Sequence, residues 1–404
     1  MTKIISKIYL DYAATTPLDP KVLKAMLPYF KKDFGNPSSI HQFGQKCREA
    51  IDKSREIVAD FLNCSPAEII FTGSATEANN LAILGTVQAA SKKGLIPHII
   101  TSKIEHPAVL EPFRQLEKKG VMVSYLKPNK DGVIQPEEIK KALKSNTILV
   151  SIMYANNEIG TIQPIPQIAK IIHQARNSRS KKQNQRYPLF HTDAVQALNY
   201  LNCDVQKLGV DLLTLSGHKI YGPKGVGALY LKQGTPISPL IFGGGQENGL
   251  RSGTENTPLI IGLAAAISEI RNSQPVISKI IKLRDKLINE IIKKIPDSQL
   301  NGSKSARLPN NVNVSIKGIE GEAAVMALDL EGFAVSTGSA CSSKKLEPSH
   351  VLMALGMPEK QAHSSLRISL GKYTTEQEID KLMATLPKIV ENLRRIANYR
   401  PSKN

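Results

Sequence analysis

Apolar and polar positions alternate in blocks along the first two thirds of the chain. Short, nearly continuous apolar runs predict buried strands, and the longer amphipathic runs between them predict helices. Strands that are apolar on both faces and alternate with helices are typical of a mostly parallel sheet covered on both sides. The predicted strands are 68–71, 98–101, 121–126, 147–153, 189–191 and 211–215, and the predicted helices include 20–30, 42–62, 136–143 and 165–176.

The pattern changes near Ile260. Two long helical patterns lead into apolar strand patterns at 311–318 and 366–370, with a helix between them and a last helix from Thr375. We therefore predict a smaller α+β domain that the N-terminal strand completes. The expected limits are residues 17–262 for the large domain, and 1–16 together with 263–404 for the small domain.

Composition narrows the class of protein. The 404 residues are 41% hydrophobic, contain no run of about eighteen apolar residues and have no apolar core near the N-terminus, so we expect a cytoplasmic protein without a membrane span. The net charge of +18 invites a nucleic-acid interpretation. However, the basic residues are scattered, and the densest stretch, 177–186, has no aromatic side chain to stack on a base, so we do not expect nucleic-acid binding. The cysteines lie far apart, which favours reduced thiols: Cys47, Cys64, Cys203 and Cys341.

A lysine follows one of the predicted strands in the segment 215–230, LSGHKIYGPKGVGALY. Lys219 comes after the apolar run that ends at Leu215 and before a glycine-rich turn. Burial at a strand end disfavours the charged ammonium, so the amine becomes a nucleophile suited to hold an aldehyde cofactor as a Schiff base. The alternative is a surface lysine in a hairpin.

Two further segments follow predicted strands and open helices. The small residues between Ser74 and Glu77 expose backbone amides at a helix start, which is a seat for a phosphate group, although an ordinary capping box would have the same pattern. His106 could stack on an aromatic ring and relay protons, or it could simply cap the next helix.

Polar side chains follow two more strands. Asn157 could hold a substrate or could be a turn asparagine. Asp193 could pair with a pyridinium nitrogen and keep it protonated, with Gln196 on the same side of a helical turn, or it could be a helix cap. Ligands collect at the carboxyl ends of strands in an open parallel sheet. A phosphate seat, a stacking histidine, an aspartate and a lysine in this order indicate a site for pyridoxal 5'-phosphate.

The order of these segments resembles the fold type I pyridoxal phosphate enzymes. Within them, the chain resembles the cysteine desulfurases of the class-V aminotransferase family, in their long-loop group. The similarity runs from residue 9 to about 393, and it is carried by LDYAATTPLDP, FGNPSS, ATEANNLAI, EHPAVL, ANNEIG, HTDAVQ, SGHKIYGPKGVGALY, RSGTEN, STGSACSS, LEPSHVLMALG and SSLRISLG. The resemblance implies a seven-stranded, mostly parallel sheet in the large domain.

The resemblance also implies roles for individual residues. Lys219 would carry the cofactor, Arg367 would bind the substrate carboxylate together with Asn157, and His106 would donate a proton. Thr254 would reach the phosphate of a partner subunit, which implies a homodimer with shared sites. The remaining cofactor contacts would come from Ala75, Thr76, Asn157, Asp193, Gln196, Ser216 and His218.

Cys341 is the residue on which the implied activity depends. The segment from Thr337 to Lys345 has no large apolar residue, so we expect a mobile, exposed loop at about 336–346. Lys344 and Lys345 would favour the thiolate of Cys341, although a chance surface cysteine is the alternative. We expect no resident metal, and a persulfide on Cys341 would at most touch an iron–sulfur cluster transiently.

The implied reaction converts L-cysteine to L-alanine and leaves the sulfur as a persulfide on Cys341. A sulfur acceptor such as an iron–sulfur scaffold or a thiolation protein would then receive it. The alternative is another pyridoxal phosphate aminotransferase or lyase, such as a selenocysteine lyase, for which Cys341 would be dispensable.

Overall fold

The computed structural model describes residues 7–91, 97–178, 186–271, 273–338 and 347–402. Twelve strands lie within these residues. They are β1 (Ile8–Tyr9), β2 (Ile69–Thr72), β3 (His98–Ser102), β4 (Met122–Leu126), β5 (Thr147–Ser151), β6 (Leu189–Asp193), β7 (Leu212–Ser216), β8 (Gly227–Leu231), β9 (Ser298–Leu300), β10 (Asn311–Ile316), β11 (Phe333–Ala334) and β12 (Ser365–Ser369).

Fifteen α-helices accompany the strands within the same described ranges. They are α1 (Pro20–Met26), α2 (Pro28–Lys31), α3 (Gln42–Leu62), α4 (Ala75–Asn80), α5 (Thr86–Ser91), α6 (Pro107–Lys118), α7 (Pro136–Ala142), α8 (Ile165–Asn177), α9 (Val205–Leu208), α10 (Thr257–Ile270), α11 (Gln274–Lys294), α12 (Gly321–Leu330), α13 (His350–Ala354), α14 (Glu359–Ala362) and α15 (Glu376–Ile396). A π-helical turn, Leu81–Gly85, joins α4 to α5. None of the described helices has the length and apolar character needed to cross a bilayer.

Seven strands form the central sheet in the order β2-β8-β7-β6-β5-β3-β4. The neighbours from β7 to β4 pair in parallel. Strand β8 runs antiparallel to both β2 and β7, so it is the one reversed strand of this sheet. The predicted mostly parallel α/β sheet is therefore confirmed.

Both faces of the central sheet are buried, which explains why its strands are continuous apolar runs. Val150 and Leu213 pack into one hydrophobic cluster, whereas their chain neighbours Leu149 and Leu212 pack into another. Successive side chains of a strand point to opposite faces, so helices must cover both sides.

A second core lies outside the central sheet. Strands β12, β10 and β9 form an antiparallel sheet, and β1 pairs in parallel with β11. Leu10 from the N-terminal segment joins Leu287, Val314 and Leu386 in the hydrophobic cluster of this region. Helix α10, however, packs against the central-sheet core through residues such as Leu263. The predicted domain limits at 262 and 263 stay a prediction.

Several element ends differ from the sequence-based expectation. The predicted helix 20–30 is two helices, because Pro28 lacks the backbone N–H that would continue α1 and instead begins α2. Strand β5 ends at Ser151 and not at Met153, whose backbone N–H donates to the Glu105 carboxylate at 3.0 Å. Of the basic stretch 177–186, residues 179–185 lie outside the described residues.

Candidate active site

The carboxyl ends of β6 and β7 place two predicted site residues side by side. Asp193 is the last residue of β6 and pairs with Thr214 of the parallel neighbour β7. Ser216 ends β7, and a single 3-10 turn, Gly217–Lys219, follows it directly. Because the carboxyl ends of neighbouring parallel strands meet at one edge of the sheet, Asp193, Ser216 and Lys219 lie at the same edge.

Both oxygens of the Asp193 carboxylate have a partner. Oδ1 accepts from the backbone N–H of Val195 at 3.0 Å, which is the capping contact considered above. Oδ2 accepts from Nδ2 of Asn79 at 2.8 Å. Asn79 is fully buried on α4, and within the described residues its Oδ1 finds no hydrogen-bond partner. A buried amide therefore holds the carboxylate in place from the phosphate-seat side of the sheet.

Lys219 points inward although β7 and β8 pair as a hairpin. Its Nζ donates to the carbonyl oxygens of Ala13 at 2.7 Å and Ala14 at 2.6 Å. The same N-terminal segment meets other predicted site residues. Gln196 Nε2 donates to the carbonyl of Ala13 at 3.0 Å, and a ring nitrogen of His218 lies 3.1 Å from the Thr15 hydroxyl.

His106 joins this edge from the start of α6. Its Nδ1 accepts from the backbone N–H of Ala108 at 3.1 Å, so it does cap the helix. Burial lowers the pKa of His106; Asp193 opposes that shift, and Lys219 and His350 add to it. A neutral ring whose Nδ1 accepts carries its proton on Nε2. His106 can therefore cap α6 and also belong to the candidate site.

The predicted phosphate seat lies at the start of α4. Ser74 Oγ accepts from the backbone N–H of Glu77 at 3.1 Å, but the Glu77 carboxylate does not return the contact as a capping box would. It accepts from the backbone N–H of Gly73 at 2.8 Å and from Nε of Arg251 at 2.7 Å. Only one of the two hydrogen bonds of a capping box is present, because the Glu77 carboxylate pairs with Arg251 instead.

Gly227 of β8 provides the space for this seat. A Cβ on Gly227 would lie 2.9 Å from the backbone nitrogen of Ala75 and 2.8 Å from the carbonyl carbon of Ser74. Gly227 also pairs with Ser216, so the seat and the end of β7 are adjacent. Thr76, the next residue of α4, is exposed.

Arg367 is buried on β12 and reaches the site from the second core. Nη2 pairs with Oδ1 of Asp11 at 2.9 Å, and Nη1 donates to the backbone carbonyl of Asn157 at 3.1 Å. Its Nε has no hydrogen-bond partner within the described residues. Burial raises the pKa of Asp11, although Arg367 and Lys219 both oppose that rise. Asp11 therefore links the arginine electrostatically to the lysine.

For two predicted site residues, the described part of the chain shows no contact with this edge. Thr254 is exposed on the turn after Arg251, and its role stays a prediction. Cys341 lies outside the described residues, as does most of the predicted loop 336–346. Among the residues that are described, no group of three or more His, Cys, Asp and Glu side chains could hold a metal ion.

Sequence reasoning missed the residues that hold the predicted ones. Asn79 and Asp11 lie within ATEANNLAI and LDYAATTPLDP, but their side chains were given no role. Ala13 and Ala14 act through backbone carbonyls, which leave no signal in the residue type.

The geometry fits a phosphorylated pyridine aldehyde. An inward lysine, a carboxylate held by Asn79 and a side-chain-free cradle at Gly227 match its aldehyde, ring nitrogen and phosphate respectively. The family model "Aminotransferase class-V" matches residues 8–382. The chain belongs to the class-V aminotransferase family, whose members use pyridoxal phosphate.

Individual relatives show which group within this family the chain resembles. The chain is 51% identical over 395 residues to "Cysteine desulfurase IscS" of Dictyoglomus turgidum, covering 98% of this chain and 97% of that one. It is 46% identical over 388 residues to "Cysteine desulfurase IscS 1" of Archaeoglobus fulgidus, with 96% and 97% covered.

Solved structures agree with these relatives. A "NifS-like protein" superposes with a TM-score of 0.87 at 39% identity and covers 96% of this chain and 100% of that one. "SspA in complex with cysteine" gives 0.78 at 38% identity, with 92% and 100% covered. The expected family, fold and cofactor are confirmed.

Proposed function

We propose that this protein is a pyridoxal phosphate-dependent cysteine desulfurase that converts L-cysteine to L-alanine and keeps the sulfur on Cys341. The observation that carries the proposal is the convergence of Lys219, Asp193 and His106 at one sheet edge, with buried Arg367 linked to it through Asp11. Relatives named cysteine desulfurase at 46–51% identity support it, as does a related structure described as a complex with cysteine.

The chain's own groups divide the work on the amino acid. When bound, pyridoxal phosphate supplies an electron-accepting ring that makes the substrate Cα proton acidic. Asp193 would keep a proton on the ring nitrogen, because Asn79 and the backbone N–H of Val195 hold its carboxylate in a fixed position. Lys219 would anchor the cofactor through its amine, and the same amine, when free, would move the Cα proton of the substrate. Arg367 binds the substrate carboxylate through its forked guanidinium.

The sulfur transfer needs a thiolate. Cys341 attacks the substrate sulfur, so a sulfur–sulfur bond forms while the carbon–sulfur bond breaks. The electrons of the broken bond stay with the carbon skeleton, which leaves as alanine after taking up protons, with His106 as a donor. One cysteine and one thiol therefore give one alanine and one persulfide, without an external oxidant.

The proposal is tested by incubating the loaded enzyme with L-cysteine and analysing it by mass spectrometry. We expect the mass of one sulfur atom on the peptide that contains Cys341. Alanine release with excess dithiothreitol should fall at least about a hundredfold in Cys341→Ser, because a serine hydroxyl accepts sulfur poorly. Cys64→Ser is the matched control, since burial raises the pKa of Cys64 to about 12 and keeps it a thiol. Near-normal alanine release by Cys341→Ser would instead identify an aminotransferase or lyase.

We also propose that the active form is a homodimer that passes its sulfur to an acceptor protein such as an iron–sulfur scaffold. Large apolar side chains are exposed in the single chain, including Ile40 at 91% and Phe242 at 77%. A contact between copies would remove such surface from water. Mixing inactive Lys219→Ala and Thr254→Ala proteins should restore activity if Thr254 serves the neighbouring site. No recovery, despite proven subunit exchange and an inactive Thr254→Ala enzyme, would contradict shared sites.

A further inference from the structure

Glu158 is a buried carboxyl group for which the proposed chemistry has no use. Its Oε2 accepts a hydrogen bond from the Ser349 hydroxyl. The same oxygen lies against Gly338, where an added Cβ would come within 2.9 Å of it. Gly338 and Ser349 stand on either side of the segment that contains Cys341, so one carboxyl oxygen meets the chain before and after that residue.

The turn that carries Glu158 is fixed by side-chain hydrogen bonds. Oδ1 of Asn156 accepts from the backbone N–H groups of Glu158 at 2.8 Å and Ile159 at 2.9 Å. The backbone carbonyl of Glu158 accepts from the side-chain amides of Asn311 and Asn313, each at 3.0 Å. The carboxyl group is therefore presented from a rigid base.

The same turn also bears on the predicted substrate anchor. The carbonyl of Asn157 accepts from Arg367, and the backbone of Arg367 exchanges two hydrogen bonds with Ser336 at 3.1 Å and 2.7 Å. Ser336 is two residues before Gly338. The contacts of Arg367 and those of Glu158 thus converge on one short stretch of chain.

A further contact fixes the chain after Cys341. His350 Nε2 donates to the backbone carbonyl of Glu105 at 2.9 Å, next to the Ser349 contact with Glu158. Burial raises the pKa of Glu158, while His350, Ser349 and Arg367 oppose the rise. A buried acid with this many engaged neighbours tolerates little displacement, because moving it would leave polar groups unpaired.

We propose that Glu158 is a positioning residue for the sulfur-transfer step. Its carboxyl group accepts a hydrogen bond from Ser349 and lies against Gly338, and through these two residues it sets where Cys341 meets a substrate held by Arg367. This inference rests on the proposed function, because it presumes that Cys341 receives the sulfur. A Cβ at position 338 would lie 2.9 Å from Oε2, so a side chain there would push against the carboxyl group.

The test compares Glu158→Ala, Gly338→Ala and Ser349→Ala with the wild type in the loaded, full-length enzyme. Ser54→Ala is the matched control, because Ser54 is also a buried serine but lies on α3 and bonds only locally, to the Ala50 carbonyl at 2.8 Å. Two rates are measured by mass spectrometry: persulfide formation on Cys341 after mixing with L-cysteine, and alkylation of Cys341 by iodoacetamide without substrate. The unmodified peptide that contains Cys341, measured in the same digest, is the internal reference.

We expect persulfide formation to slow about tenfold or more in Glu158→Ala and Gly338→Ala, because small misplacements of reacting groups are costly. The KM for L-cysteine and the cofactor content should stay near wild type, and the relative alkylation of Cys341 should change. Gly338→Ala should add little to Glu158→Ala, since the added methyl group has no carboxyl oxygen to collide with once residue 158 is alanine. Ser54→Ala should match the wild type, and Glu158→Gln should retain much of the rate because its amide oxygen still accepts from Ser349.

Three results would overturn the inference. They are unchanged persulfide and alkylation rates in Gly338→Ala and Ser349→Ala, effects of Glu158→Ala and Gly338→Ala that simply add, or a loss limited to cofactor content. If Glu158→Ala fails to fold, Gly338→Ala and Ser349→Ala still decide. A wild-type enzyme that forms no persulfide would refute the proposed function, which is a different outcome from unchanged variants of an active enzyme.

Discussion

Lys219 and Arg367 are two cations of the same candidate site, and the protein holds them differently. Lys219 is half-buried and donates to the carbonyls of Ala13 and Ala14. Arg367 is fully buried, and it pairs with the Asp11 carboxylate as well as with the carbonyl of Asn157. A hydrogen bond from a charged donor to a neutral carbonyl contributes about 1.5–3 kcal/mol, whereas breaking a buried charge pair costs about 3–5 kcal/mol.

This difference suits the two roles. A lysine that must form and release a covalent bond needs contacts that it can leave. An arginine that orients a carboxylate needs a contact that persists throughout the reaction. Asp11 stands between the two, because its carboxylate pairs with Arg367 and also influences Lys219 electrostatically. Substitutions at and around these two residues distinguish a reactive cation from one that is held in a fixed position.

The largest effect should come from removing the reactive cation. Lys219→Ala should lower alanine production about a thousandfold or more, because both the covalent anchor and the proton carrier are lost. Lys219→Arg is the control, since it keeps a positive charge without a usable amine, and it should be equally inactive. Visible absorbance and borohydride trapping check the covalent link. A trapped bond in Lys219→Ala would show that another lysine serves.

The second effect concerns the carboxylate beside Lys219. Asp193→Ala should lower turnover about a hundredfold while some cofactor stays bound, because a fixed electrostatic partner of the ring nitrogen disappears. Asn79→Ala should give a smaller loss in the same direction, since Asp193 keeps its bond to Val195. Turnover and cofactor content are measured together. Full turnover in Asp193→Ala would mean that another group supports the ring.

A smaller effect is expected when Arg367 loses its carboxylate. Asp11→Ala should raise the KM for L-cysteine about tenfold through misplacement of the guanidinium. It should also lower the free energy of unfolding by about 3 kcal/mol, because an unpaired charge remains buried. Asp11→Asn, which keeps a hydrogen-bond acceptor, should be milder in both respects. Steady-state kinetics and denaturant unfolding distinguish the two effects, and an unchanged KM would contradict the structural role of Asp11.

The smallest expected effect is a pH dependence of stability that comes from His218, the residue before Lys219. Burial, assisted by Lys219 and Lys224, lowers the pKa of His218 to about 4. Below the ordinary histidine pKa of about 6.5, the unfolded chain takes up a proton that the folded chain refuses, so stability falls as the pH drops from about 6.5 to about 4. Over that pH range, the Tm of His218→Asn should therefore fall by about 2 °C less than the Tm of the wild type. If the Tm of both proteins falls equally as the pH drops, His218 does not contribute to the pH dependence of stability.

Much of the fold could be predicted because its signals are local. Helix α3 has the predicted limits, since an amphipathic run is bounded by the His41 cap and by Asn63 in a left-handed conformation. The placement of Asp193 and Lys219 at one edge of the sheet could be predicted for a similar reason. Each directly follows a buried strand, and neighbouring parallel strands end at the same edge.

The supporting contacts could not be predicted from local pattern. Asp11 is 356 positions from Arg367, and Glu158 is 191 positions from Ser349. Asn79 lies 114 positions before Asp193. Such pairs are set by the topology of the whole fold, and an Asp, Asn or Glu inside a helix or turn carries no sign of its distant partner. The half-formed capping box at Ser74 shows the same limit, since Arg251 recruits the glutamate from far along the chain.

The pairing of β1 with β11 has a consequence for how the protein is made. Residues 8–15 leave the ribosome before their partners, which are Phe333 on β11, Arg367 on β12 and Lys219 after β7. This segment must therefore wait until the chain as far as β12 has been synthesised. Long-range pairings of this kind form late. A nascent chain that stops before Arg367 could complete the central sheet, but it would lack the partner that holds the Asp11 carboxylate near Lys219.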